Sequence, residues 1–288
     1  MEIRSLKKKK NYRKYLKLNS NLNNDLLTSI SYDLQTGSYL KLHKYNLLYN
    51  KKIYQENFLK LFKIIKNKKI KTILDFGTGE CTKMHYLINN FDVKLKRIDF
   101  CDTSLSRINF GKNFITNSLK KKKIKYNFFC NSDKLPYKAN SIDCIFAAGV
   151  FENIEPKRCK IILKEFLRVS KKAIFLIEPN YRLKSNIKRA KRFHLYLHNF
   201  KNYFMNFKVK HHKSEWKKFS PEKMTNDLNY CFFKKKKGNQ PKFFDLKSKN
   251  YFTQNKEMLF IKSSGKIIPT FNNIALFRDI NLLKLIEV

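Results

Sequence analysis

Beyond residue 70 the apolar residues fall into two alternating periods. Short apolar runs predict buried strands at Thr72–Phe76, Lys94–Phe100, Lys125–Phe129, Ile142–Ala147 and Ala173–Ile177. Helical spacing predicts helices between them at Thr82–Asn89, Ser104–Leu119 and Lys157–Ser170. Strand and helix in alternation, repeating every roughly 20–30 residues, form the pattern of a parallel sheet with crossover helices.

The flanks read differently. Residues 1–70 are polar and basic, and from Ile53 to Ile65 the apolar positions suit one helical face packed on a sheet. Ser31–Tyr39 reads as a turn joining helices, with Tyr32 or Tyr39 available to close over a ligand as a lid. After Glu178-Pro179-Asn180, residues 181–218 are basic and aromatic and predict a basic helix packing its aromatic stripe on the domain. Ser220-Pro221-Glu222-Lys223 reads as a further helix start, with Pro at the first helical position. Glu257–Ile261, Lys266–Pro269 and Asn273–Leu276 are short and strand-like. Three parts are therefore expected: an N-terminal helical cap at 1–70, a main domain at 71–235 and a small β-rich extension at 236–288. Within the main domain the core motifs span 71–180 and a basic aromatic cap spans 181–218.

Composition changes this picture little. A hydrophobic content of 42% over 288 residues suffices for a full core. The formal charge of +41 invites a nucleic-acid reading. Only ten of the 63 basic residues are Arg, however, and phosphate and base recognition favours the Arg fork. The lysines are also spread in short runs, at 7–10, 120–123 and 234–237, as on a solvated surface. No two of the six cysteines have Cys-x-x-Cys spacing, so neither a metal site nor a redox site is expected. The opening residues lack the apolar core of a secretory signal, and no apolar run approaches about 18 residues. A reduced, cytoplasmic protein is the expectation.

The chemistry is concentrated where strands end. Asp75-Phe76-Gly77-Thr78-Gly79 follows the first strand, and its glycines let the backbone approach a ligand closely. The preceding carboxylate, Asp75, would repel a pyrophosphate but suits a ligand carrying an ammonium and a sulfonium. Cys81 stands where a third glycine is usual and keeps the position small. Asp102 ends the second strand, with Thr103-Ser104 opening the next helix, and would accept from ribose hydroxyls. Asp99 is the alternative acid. The turn Cys130-Asn131-Ser132-Asp133 offers Asn131 and Ser132 to an adenine amine, or is an ordinary turn. The strand that ends Ala147-Ala148-Gly149 leaves room beside the reacting group. Glu152 and Asn153 follow it.

These segments resemble class I S-adenosylmethionine (SAM)-dependent methyltransferases. The likeness rests on Ile73–Thr82, Asp102-Thr103-Ser104, Leu135-Pro136-Tyr137, Ser141-Ile142-Asp143, Leu163–Val169 and Ile177-Glu178-Pro179, in that order. The nearest flavour is the group holding ubiquinone- and menaquinone-biosynthesis enzymes and glycan- or lipid-tailoring methyltransferases. The resemblance implies an α/β, Rossmann-like, seven-stranded, mostly parallel sheet with helices on both faces. It also implies SAM as cofactor, held by Asp75, Gly77, Gly79, Asp102, Thr103, Asn131, Ser132 and Ala148. Asn131 stands where the family usually has Asp, and Asn153 where many members have His. The last residues faintly resemble a small zinc-ribbon module, but the metal cysteines are absent.

The expected activity is methyl transfer by in-line displacement to a small molecule, lipid or glycan precursor, with contact to an anionic membrane surface compatible with the charge. An RNA methyltransferase is the alternative, although no Asn-Pro-Pro-Tyr-like or Pro-Cys motif is present. A SAM-binding protein without transferase activity is the third reading. Glu152, Tyr39, His194, His198, His211 and His212 are candidates for a base, and none is assigned.

Overall fold

In the computed structural model, the strand-and-helix alternation builds a single wide sheet. The structure describes residues 24–49, 51–130, 133–179, 181–182, 184–193, 195–203, 209–217, 224–233, 242–254, 258–261, 263–264 and 266–277. Three helices come first: α1 (Asn24–Asp33), α2 (Ser38–Tyr49) and α3 (Lys51–Asn67). The alternating core follows as β1 (Thr72–Phe76), α4 (Thr82–Asn90), β2 (Arg97–Asp102), α5 (Leu105–Lys121) and β3 (Lys125–Cys130). It continues through β4 (Ile142–Ala148), a 3-10 turn (Phe151–Asn153), α6 (Pro156–Val169) and β5 (Ser170–Pro179). Then come α7 (Lys184–Phe193), the single turn α8 (Phe200–Tyr203), β6 (Val209–Lys217) and β7 (Met224–Phe233). Short strands complete the described chain: β8 (Phe244–Asp245), β9 (Asn250–Tyr251), β10 (Thr253–Gln254), β11 (Met258–Ile261), β12 (Lys266–Phe271) and β13 (Ile274–Leu276).

The strand order is β10-β11-β12-β13-β3-β2-β1-β4-β5-β7-β6, with β8 and β9 paired separately. Among the described residues the sheet thus has eleven strands rather than the expected seven. Its centre, from β13 to β5, is parallel throughout. Both flanks are antiparallel: β7 and β6 beyond β5, and β12, β11 and β10 beyond β13. The flanks cover edges that would otherwise expose unpaired backbone groups.

Period-two burial explains the layering. In β4, Cys144, Phe146 and Ala148 join one apolar cluster and Ile145 and Ala147 the other. In β5, Ala173, Phe175 and Ile177 face the first and Ile174 and Leu176 the second. Phe58, Leu61 and Ile65 of α3, Met84 and Leu87 of α4, and Ile108 and Ile115 of α5 cover the first face. Cys159, Ile162, Leu163 and Phe166 of α6 cover the other. Each such side chain contributes about 1.5–3 kcal/mol of burial. Helices therefore lie on both faces, as in a Rossmann-like α/β fold.

Two expectations beyond Pro179 change. The basic helix is realised only over Lys184–Phe193 and the turn at Phe200–Tyr203, and Val209–Lys217 is strand. Ser220–Lys223 lie outside the described residues, and Met224–Phe233, directly after them, is strand rather than helix. The open edge of β5 is the physical reason. Seven β5 residues, Ala173 to Pro179, pair with β7, and that hydrogen-bonded ladder outweighs the local helical pattern. Among the described residues no helix is long and apolar enough to cross a membrane.

One contact holds α5 against the turn after β1. A Cβ on Gly111 would lie 2.7 Å from Cys81 Sγ and 2.7 Å from the backbone carbon of Glu80. Gly111→Ala should therefore lower stability by about 1–3 kcal/mol, because overpacking exceeds the gain in helix propensity. Urea unfolding of the two proteins measures the difference.

Candidate functional site

The C-terminal ends of β1, β2 and β4 open into a cavity of about 440 Å³, within the ~300–1,000 Å³ range of small-ligand sites. Its floor starts at the turn after β1. Gly77 and Gly79 have φ of 67° and 55°, a left-handed conformation that glycine adopts without a Cβ penalty. A Cβ at Gly77 would also stand 2.4 Å from Val150 Cγ2. Cys81 shares the left-handed conformation at φ 57°. The place of a third glycine is therefore filled by a residue that carries the strain, at about 1–2 kcal/mol.

Asp102 ties this turn to the next helix. Its Oδ2 accepts from Gly79 N at 2.7 Å and its Oδ1 from Ser104 N at 2.9 Å. Ser104 caps α5, accepting from Arg107 N at 3.3 Å. Asp99, the alternative acid, sits elsewhere. It is buried against Arg97, whose Nε lies 2.8 Å from Oδ1, and it accepts from Tyr137 Oη at 2.7 Å. Asp99 does not line the cavity, whereas Asp102 and Thr103 do.

The other expected residues divide. Gly77, Gly79 and Ala148 line the cavity. Asp75 lies beneath the turn rather than on the cavity wall, 2% exposed, accepting from Thr78 Oγ1 at 2.6 Å. Burial raises its carboxyl to about 6, opposed by the Thr78 hydrogen bond and the Lys83 charge. Asn131 and Ser132 lie outside the described residues; their neighbours Asp133 and Lys134 line the cavity. Asn153 lines it too, and Glu152 does not. His198 is buried, its Nε2 2.9 Å from Phe151 O and 3.0 Å from Ile154 O, and away from the cavity wall. His194 lies outside the described residues, and His211 and His212 are placed only as backbone in β6.

Sequence reasoning missed several cavity residues. Lys83 reaches from α4 and donates from Nζ to the Ala148 carbonyl. Arg158 of α6 holds Asp133, with Nε 2.9 Å from Oδ1. Phe277, just past β13, lines the far side and donates from its backbone N to Cys130 O at 3.0 Å. Thr28 comes from the N-terminal helices and Arg107 from α5, whereas Tyr32 and Tyr39, named from the sequence as a lid, line the cavity as that reading expects. The scarcity of Arg in a lysine-rich chain was the one sequence signal for Arg107 and Arg158.

The N-terminal helices are fastened over the site by Glu80. Its Oε1 accepts from Gly37 N at 2.8 Å and Tyr39 N at 3.3 Å, and its Oε2 from Leu40 N at 2.7 Å. These amides sit at the start of α2, where a carboxylate also suits the helix dipole. Ser29 Oγ donates to Thr103 O at 3.1 Å, and Asp33 accepts from Ser104 Oγ and from Ser106 N.

At the end of β5, Glu178 is fully buried. Burial pushes its carboxyl up to about 8, opposed by the Val150 amide at 3.0 Å and reinforced by the Glu152 charge. The sign follows from the unfolded chain, whose carboxyls ionise near pH 4. Glu178 and Asp75 both bind protons more tightly when folded, so their contribution is full below that range and is lost as pH rises through 6 and 8. The stability of the native protein relative to Glu178→Gln should therefore fall between pH 5 and pH 8.5, and urea midpoints of the two proteins across that range measure it.

Comparison with known proteins agrees with this geometry. Residues 74–177 match the family model described as a methyltransferase domain. No curated protein matches the sequence. Among solved structures, the chain is similar to the magnesium protoporphyrin IX methyltransferase ChlM from Synechocystis PCC 6803 with bound SAM. That match has 8% identity and a TM-score of 0.52, and covers 74% of this chain and 99% of the other. It is also similar to the methyltransferase domain of bacterial CtHen1-C, at 17% identity and a TM-score of 0.47, over 64% of this chain and 100% of the other. Residues 74 to 177 thus match a methyltransferase domain, built on a Rossmann-like sheet with its ligand turn after β1.

Proposed function

We propose that this protein transfers a methyl group from SAM to a small molecule, a lipid or a glycan precursor that fits within the covered cavity. The observation that carries the acceptor class is the cover itself: Thr28, Tyr32 and Tyr39 line a cavity whose floor is Gly77, Gly79 and Asp102. An acceptor lodged within such walls is held close and shielded from water, the main service an in-line displacement needs. In this reading residues 1–70 act as the cap, 71–235 as the methyltransferase domain and 236–288 as a β-rich extension.

The residues present fit the cofactor. Gly77 and Gly79 carry no Cβ at the turn, and the Asp102 carboxylate borders the cavity with acceptor capacity left for ribose hydroxyls. Thr103 flanks it, and Asn131 and Ser132 are the proposed adenine contacts. When bound, SAM supplies an electrophilic methyl on a sulfonium. Ala148 and Gly149 leave space at the end of β4, and the Ala148 carbonyl holds the Lys83 ammonium beside that space. Asp75 supports the turn from below through Thr78 and adds negative charge under a cationic ligand.

A second reading, an RNA acceptor, is favoured by α7, which presents Lys184, Lys188 and Lys191 to solvent. That face would equally suit an anionic membrane surface.

Incubating the protein with methyl-labelled SAM and a fractionated cell extract tests the acceptor class. Label in the organic or small-molecule aqueous fraction is the expected result, and label confined to RNA overturns it. Calorimetry tests the cofactor: SAM should bind, and Asp102→Ala should weaken it by about 10-fold or more, the loss of hydrogen bonds to a charged group. Binding of NAD but not SAM would refute the assignment.

A further inference from the structure

Two helices, α6 and α7, carry the same outward stripe. Lys157, Lys160, Ile161 and Lys164 are exposed on α6, and Lys184, Ile187, Lys188 and Lys191 on α7. In both the spacing is i, i+3, i+4, i+7, which is one face of a helix. Each stripe sets three lysines around one isoleucine, and Ile161 and Ile187 are 50% and 37% exposed. A single exposed apolar side chain is ordinary, but here two stand at the inner positions of matching lysine stripes. The opposite sides are buried, through Cys159, Ile162 and Phe166 on α6 and Asn186 and Ala190 on α7. Glu165 is the one acid within either helix, and it is turned to Arg168.

The two helices adjoin at the cavity wall. The chain leaving α7 returns to the start of α6, where Tyr196 N donates to Glu152 O at 2.8 Å. Tyr196 Oη donates to Oε1 of Glu155, the residue before α6, at 3.3 Å. Asn153, Ile154 and Arg158, at this junction, line the cavity. Lys120, Lys121 and Lys122 are exposed too, but they end α5 just ahead of β3, at the opposite edge of the sheet from the cavity.

Charge alone leaves such a face equally suited to RNA and to an anionic bilayer, and the isoleucines separate the two. RNA-binding surfaces use aromatic platforms for bases and Arg forks for phosphates, and the stripes hold neither. A bilayer interface takes both residue types present: ammonium groups meet anionic headgroups, while lysine stems and aliphatic side chains enter the acyl boundary. We propose that α6 and α7 dock this protein peripherally on an anionic lipid bilayer, with the lysines on the headgroups and Ile161 and Ile187 at the acyl boundary. The cavity wall at their junction is thereby brought beside the membrane. The docking goes beyond the methyl-transfer reading and does not depend on it, since lipid binding requires neither SAM nor an acceptor.

Co-sedimentation of the full chain with vesicles tests the proposal, using phosphatidylcholine alone and an equal mixture with phosphatidylserine at about 0.15 M salt. Wild-type protein should bind the mixed vesicles at least about 10-fold more tightly than the neutral ones. Lys184→Gln/Lys188→Gln/Lys191→Gln should weaken that binding by about 10-fold or more, since each lysine at an anionic surface contributes about fivefold. Lys157→Gln/Lys160→Gln/Lys164→Gln should do the same. Lys120→Gln/Lys121→Gln/Lys122→Gln removes equal charge from the far edge and should weaken binding by less than about threefold. Ile161→Gln/Ile187→Gln keeps the charge and should weaken vesicle binding by about fivefold or more, with affinity for polyuridine RNA unchanged. All replaced side chains are exposed, so the variants should fold, and circular dichroism checks that they do. No preference for the mixed vesicles would overturn the proposal. Equal loss in all three lysine variants would assign the binding to net charge and overturn it as well, and loss confined to one helix would overturn the paired face. Vesicle binding unchanged by the isoleucine replacements, or RNA binding weakened as much as vesicle binding, would also defeat it.

Discussion

Glu80 sits 1% exposed between two regions far apart in the chain. Its carboxylate accepts from three amides around the start of α2, and through them the N-terminal helices are held over the ends of β1 and β2. A buried carboxylate is tolerated only when its oxygens are satisfied, and these amides, left without partners at a helix start, do that. Remove this contact and Tyr32 and Tyr39 lose their positions over Arg107, so the cavity loses a wall. The shape of the site depends on one acid bridging 40 residues of sequence.

A parallel centre and antiparallel flanks divide the work of the sheet. The centre brings the ends of β1, β2 and β4 to one edge, where ligands of open α/β sheets bind. The flanks close the two edges, and one of them also contributes to the site. β13 lies parallel beside β3, so Phe277 arrives at the cavity from late in the chain. It packs edge-on against Phe129 and Phe243, joining that wall to the aromatic core beneath.

The few arginines carry a load that the many lysines do not. Arg97, Arg107, Arg158 and Arg168 each lie beside a carboxylate in the interior or at the cavity wall. Arg168 also donates to the carbonyls of Leu135 and Tyr137, which sets the turn after β3. The planar fork explains the choice: fixed donors can order a carboxylate and a backbone turn at once, which a lysine's single ammonium does poorly. Net charge, so prominent in the composition, says little about the site.

Much of the centre was legible in the chain. The limits of β1 were readable to the residue, and β2 to β5 and their helices to within a few residues, because burial on both faces imposes a continuous apolar run and turn residues end it. Gly77, Gly79, Asp102, Thr103 and Ala148 were readable as one group because strand ends of a parallel sheet converge on one edge. The rest required tertiary structure. Whether Val209–Lys217 and Met224–Phe233 become helix or strand depended on an unpaired edge 30 or more residues away. Asp99 and Asp102, three residues apart, are chemically alike in sequence; position on the sheet sends one to Arg97 and Tyr137 and the other to the cavity. Arg107 gained its meaning only when α1 and α2 brought two tyrosines over it. Local periodicity determines which segments are strands and helices, because it is set by neighbours in the chain. The walls of the site are set by contacts between distant segments, which only the folded chain brings together.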